Sequence, residues 1–163
     1  MSRRLFCFGL FVAWAVHDVE EVATASWWSA RTTPRLLADG WPPGLVEVVG
    51  STTPRFALAA ALVGVAVLSA ALSGVRSDGH AAFFRAAVLV FGWHGLVHVA
   101  QAVLLRDYVP GLVTALLLVI PYAFWHGRRL RPDPVPGKTI AVVAGFAVAL
   151  TAAAQAVARL LLP

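Results

Sequence analysis

The chain has 163 residues, of which 60% are hydrophobic and only 13% charged, a balance that excludes an ordinary soluble domain and points to an integral membrane protein. Its formal net charge is +5, but the thirteen Lys and Arg residues are spread over chain ends and loops without a basic stripe, which argues against a nucleic-acid partner. A lone cysteine, Cys7, excludes an intramolecular disulfide and any cysteine-based zinc site.

Crossing a hydrocarbon core takes about 20 mostly apolar residues in a helix. Segments 5–24, 56–75, 82–105, 111–126 and 139–162 approach or meet that length. The expected fold is therefore all-α, a single multi-pass bundle of about five transmembrane helices in the cell membrane. With the N-terminus in the cytoplasm, Arg3, Arg4, Arg76, Arg85, Arg128, Arg129, Arg131 and Lys138 fall inside, and Arg31, Arg35, Arg55, Arg106 and Arg159 fall outside. Eight against five favours that orientation.

The first span carries the most unusual residues. On a helix, Glu20 and Glu21 lie about 60° and 40° to either side of His17, so all three share a face, while Asp18 is about 100° away. The same segment also imitates a secretory leader, with Arg3 and Arg4, an apolar run and Ala23-Thr24-Ala25. The acidic residues before that tripeptide argue against cleavage there.

Residues 25–55 form the one long connection, with Trp27, Trp28 and Trp41 alongside Pro34, Pro42 and Pro43. Tryptophan gathers where an apolar ring and a polar N–H can both be satisfied, so an outer interfacial loop is expected. Thr-Thr-Pro-Arg occurs at 32–35 and again at 52–55. Each fits a helix start, with Thr33 or Thr53 as N-cap and the proline at the first helical position. The first start implies a short helix over 34–38 ended by Asp39-Gly40, and the second opens the next span.

The second and fifth spans read as scaffold, made of Ala, Val and Leu with small residues such as Gly64 and Gly145. The third span repeats the polar design of the first, with His94, His98 and Gln101 on one stripe. His17 lies twelve residues into the first span and His94 twelve into the third, so both are about 18 Å deep. Glu21 and His98 follow at the same interval. The turn Arg106-Asp107-Tyr108-Val109-Pro110-Gly111 then leads into the fourth span, which carries Thr114 near its start. Arg106 and Tyr108 would stand at the mouth of a shared site and meet a polar or anionic head group; Glu47 could join from the loop. His80 and His126 are expected at the inner interface, and Pro132, Pro134 and Pro136 stiffen the inner linker. Trp14 and Trp93, at membrane depth, read as packing residues or as aromatic walls for a cation.

His17, Glu20, Glu21, His94 and His98 are imidazole and carboxylate donors suited to divalent zinc, iron or manganese, and helix bundles build metal sites from facing side chains. The same residues admit metal-free acid–base chemistry, as in an isomerase or cyclase of terpenoid or sterol-like substrates. They also admit a metal or proton transporter or an accessory subunit, or a buried polar fastening without metal. The preferred reading is a metal-dependent membrane enzyme acting on a lipid or isoprenoid-like substrate, with membrane lipids as its surroundings. Glu20, Glu21, His17, Arg106 and Tyr108 are its candidate catalytic residues.

His17-Asp18-Val19-Glu20-Glu21, His94-Gly95-Leu96-Val97-His98 and the Tyr108-Val109-Pro110-Gly111 turn before Thr114 together resemble the HXXEE family of small bacterial integral membrane proteins. The resemblance runs from the first span through the fourth. It implies a membrane fold and importance of His17, Glu20 and Glu21, and no particular reaction.

Overall fold

A computed structural model describes residues 2–130 and 134–162. Arg131 and Pro132 of the expected inner linker lie outside the described residues. The described chain is all-helical, in the order α1 (Arg3–Ala38), α2 (Pro43–Val49), α3 (Thr53–Arg76), α4 (Ala82–Leu105), α5 (Leu112–Thr114), a π-helical turn (Ala115–Val119), α6 (Ile120–Leu130) and α7 (Gly137–Leu161). Among the described residues three helices, α3, α4 and α7, are long and apolar enough to cross a membrane, and a shorter apolar run covers Leu112–Arg128. This is a helical membrane bundle.

The first helix departs from expectation. α1 has 36 residues and continues through Pro34, so residues 25–38 of the expected loop are helical, and Thr33 is no N-cap. At about 1.5 Å per residue the helix is about 54 Å long, well beyond the roughly 30 Å of a hydrocarbon core. Pro34 deprives only the Ala30 carbonyl of a helical donor, one turn from the end, where one lost bond is tolerable. The true stop is Asp39-Gly40: Gly40 adopts φ +80°, and Trp41 N–H donates to Leu36 O while Gly40 N–H donates to Leu37 O. These are the paired bonds of a glycine-ended helix. The second Thr-Thr-Pro-Arg does open a helix, one residue earlier than expected, with Thr52 as N-cap and the Ser26 hydroxyl accepting from Thr53 N–H.

α1 packs along α3, α3 along α7 and α4, and α4 along the π-turn and α6, which also touch α1. Small residues set these approaches. The Trp14 ring of α1 rests on Gly64 of α3, and Phe84 of α4 rests on Gly74. A Cβ at Gly95 would stand 3.0 Å from both Val119 and Ile120, so only glycine lets α4 come this close to the π-turn. That turn precedes Pro121, whose missing N–H breaks the regular ladder, and a widened turn accommodates the defect.

The apolar core holds Phe6, Cys7, Leu10, Ala13, Phe84, Val88, Phe91, Val119 and Tyr122. Contrary to the interfacial expectation, His126 is buried. Its ring lies against Phe6 and Phe84. Arg85, counted as an inner charge, is buried as well, whereas His80 is exposed.

Candidate metal centre

Pairs four residues apart place side chains on one helix face, one turn apart. His17 and Glu21 form such a pair on α1, and His94 and His98 form one on α4. Contact of His17 with His94 and of Glu21 with His98 makes the two helices parallel and brings the pairs to one level. His94 Nε2 lies 3.1 Å from His17 Nε2 and 3.0 Å from His98 Nε2. Glu21 places one carboxylate oxygen 3.4 Å from His98 Nε2 and the other 3.9 Å from His17 Nε2. One ligand atom from each of these four residues falls within 4.8 Å of all the others.

Three of these distances, 3.0, 3.1 and 3.4 Å, are close to those between neighbouring ligand atoms around a metal. Bonds of about 2.0–2.1 Å in tetrahedral geometry set ligand atoms about 3.3 Å apart. Hydrogen bonding alone cannot satisfy the trio, because a neutral imidazole has one N–H, and three Nε2 atoms converge. Three imidazoles and a carboxylate make a nitrogen-rich, sulfur-free set fitting zinc, iron or manganese. Cys7, in the apolar core, is ten residues below His17 on the same helix.

Glu20 departs from its expected role as a ligand. Its carboxylate accepts from Tyr108 O–H (2.8 Å), Val113 N–H (3.1 Å), Thr114 N–H (2.7 Å) and the Thr114 hydroxyl (2.6 Å). The two amides belong to the first turn of the helical run that begins at Leu112, where N–H groups lack helical partners and negative charge is favoured. Glu20 is thus consumed as the cap of that run. Thr114 also stands 2.8 Å from His17 Nδ1.

Gly111 is the site residue that the sequence reading passed over. It takes φ +82°, and a Cβ there would fall 2.7 Å from His17, 3.0 Å from Glu21 and 3.1 Å from His98. The turn therefore roofs the cluster with bare backbone. The Pro-Gly pair at 110–111 is the signal that could have found it, since it marks a left-handed position.

A latch holds the roof to α1. The Trp28 indole Nε1–H donates to Tyr108 O. Arg35 donates to Asp107 at 2.6 Å and to Leu105 O at 3.3 Å. Arg31 adds a 3.4 Å ion pair to Asp107 while its guanidinium lies over Trp27. The Tyr108 amide and Arg35 hold the Asp107 carboxyl below its usual 3.8.

The remaining expectations fare unevenly. Arg106 is an exposed, left-handed cap of α4, and Gln101 is exposed too. Glu47 sits apart, in a wall of a surface cavity of about 390 Å³ with Arg55 and Arg159. Trp93 is 65% exposed and so faces away; the aromatic ring beside the centre is Phe91, edge-on to His17 and stacked on His94. His17, Glu21 and His98 are buried, but His94 has exposed surface, giving the cluster one open side.

The family described as a protein of unknown function with HXXEE motif matches residues 8–126. That stretch contains all the cluster, cap and roof residues and stops before α7. No curated protein and no solved structure matches the chain. With its His17-Asp18-Val19-Glu20-Glu21 motif inside a match over most of its length, the chain belongs to the HXXEE-motif family.

Proposed function

We propose that this protein is a membrane-embedded metalloenzyme whose ligands are His17, His94, His98 and Glu21, and whose substrate is a lipid or isoprenoid-like molecule taken from the bilayer. The observation that carries the reading is the convergence of four ligand atoms within 4.8 Å. A bound zinc, iron or manganese ion would supply Lewis acidity, or redox chemistry for the latter two.

The chain's own groups do the rest. The Gly111 roof and the Phe91 ring keep water from three of the ligands. On α4 the exposed His94 is flanked on one side by Val97 and Trp93, exposed at 47% and 65%, which would let an apolar substrate approach sideways from lipid. Arg106, exposed at the end of α4, is placed to meet a polar or anionic head group, while Tyr108 secures Glu20. The N-terminus is cytoplasmic in this reading, seven of the eight inner basic residues remaining after Arg85 is set aside as buried.

Other chemistry finds less support. A carbocation cyclase needs aromatic walls, but Trp93 points outward and Trp14 is spent on Gly64. A transporter needs a continuous polar path, and between the cluster and the buried Arg85 and His126 the buried residues Leu10, Ala13, Val88 and Phe91 are apolar.

Metal analysis of the purified protein tests the reading. Wild type should hold about one equivalent and His94→Ala should lose most of it, as expected when one of four ligands is removed. Folded wild type that takes up no zinc, iron or manganese would overturn it.

A further inference from the structure

The metal set uses the first and last residues of the His-x-x-Glu-Glu motif and leaves Glu20 out. We propose that Glu20 is a positioning residue: acting through the Thr114 hydroxyl, it holds His17 as the Nδ1–H tautomer and so turns a bare Nε2 toward the metal.

The hydrogen count carries this. Four donors converge on Glu20, one each from Tyr108 O–H, Val113 N–H, Thr114 N–H and Thr114 O–H. The Val113 and Thr114 amides can only donate, one to each carboxylate oxygen, at a helix start that favours negative charge, and this is the seat of a carboxylate. The Thr114 hydroxyl has a single hydrogen. Its neighbours are Glu20 Oε2 at 2.6 Å, Gly111 O at 3.3 Å and His17 Nδ1 at 2.8 Å. The first two only accept, and the short contact to the carboxylate takes the hydrogen. Thr114 Oγ1 then faces His17 as an acceptor, and Nδ1 must donate. The second nitrogen, Nε2, is left with its lone pair directed at His94 Nε2 and the cluster.

A metal-bound imidazole commonly donates its other N–H to an outer partner that fixes ring and tautomer. Here the partner is a hydroxyl backed by a carboxylate from the next turn of the same helix. The adjacent glutamates thus have divided tasks, Glu21 ligating and Glu20 orienting. The role at the metal rests on the reading of the preceding subsection; the tautomer does not.

The test reads the tautomer and the affinity separately. In metal-free protein labelled with ¹⁵N in its histidine rings, His17, assigned by the loss of its signals in His17→Asn, should carry its proton on Nδ1. Thr114→Val, which keeps the Glu20 cap on the Thr114 amide, should shift the proton toward Nε2 and weaken Zn²⁺ binding about 10–100-fold. Thr114→Ser should restore both. Glu20→Gln, in which one oxygen becomes a donor, should resemble Thr114→Val, whereas Glu21→Gln should weaken Zn²⁺ binding with the tautomer unchanged. A wild-type His17 protonated on Nε2 overturns the proposal without any variant. So does a Thr114→Val protein with both wild-type tautomer and wild-type affinity. If no form binds Zn²⁺ while the tautomer follows Thr114 as described, the Glu20 relay stands and the metal reading falls.

Discussion

Gly111 shows how closely the centre is fitted at the scale of one residue. Its φ of +82° disfavours any side chain, and three groups of the cluster stand within 3.1 Å of where a Cβ would be. The left-handed conformation alone costs about 1–2 kcal/mol for a non-glycine residue, and none of the three neighbours can retreat without leaving its partners. Gly111→Ala should lower the melting temperature and weaken metal binding at least about tenfold, read by thermal melting and by competition with a chelator, if it displaces a ligand as an outer-shell change does. Unchanged affinity would mean that the roof is not in contact with the centre. The clustering of His17, Glu21, His94 and His98 was legible in the sequence because two i, i+4 pairs at equal depth are a matter of helical geometry. Glu20 was not separable from Glu21 there. The two flank His17 at similar angles, and only the position of Thr114 and the helix start at Leu112 decides which one is consumed as a cap.

Element by element, the bundle depends on glycines and on the latch. A Cβ at Gly64 would come within 2.4 Å of the Trp14 ring, so Gly64→Ala should destabilise the α1–α3 contact by about 1–3 kcal/mol, the usual range for overpacking, measured by denaturation in detergent. The latch at Asp107 makes stability depend on pH. Because its folded pKa lies below 3.8, the carboxylate stabilises the fold above that value, and the contribution is lost as pH falls through the lower folded pKa. Asp107→Asn should therefore melt below wild type at pH about 7, with the gap closing as pH falls through the lowered folded pKa of Asp107. A gap that persists in acid would show that the carboxylate's charge is not what holds the turn. The spans were readable from apolar length, but the end of α1 was not. Thr-Thr-Pro-Arg has the same local signal at both places, and it starts a helix only at Thr53; before Pro34 the helix is already held by Trp28 to Tyr108 and by Ser29 to Ser51, and tertiary contact overrides the proline. The π-turn at Ala115–Val119 leaves no pattern in the sequence beyond Pro121.

For the whole molecule, the cluster is buried at three residues and open at His94, and in the proposed reading that open side is the one that meets lipid. The apolar core lies between the centre and the N-terminal end of α1, and α7, outside the family match, packs on α3 and α4 and contributes none of the four cluster residues. Deleting α7 should then reduce stability more than metal affinity, as judged by melting temperature and chelator competition on the shortened protein; metal loss without loss of helicity would contradict that division. The central claim is that α1 and α4 together build one metal centre of three imidazoles and one carboxylate. X-ray absorption of the metal-loaded protein tests it most directly. The account predicts a first shell of nitrogen and oxygen at about 2.0–2.2 Å, with outer-shell scattering from three imidazole rings. A folded protein that binds no metal, or a shell without histidine, would contradict it.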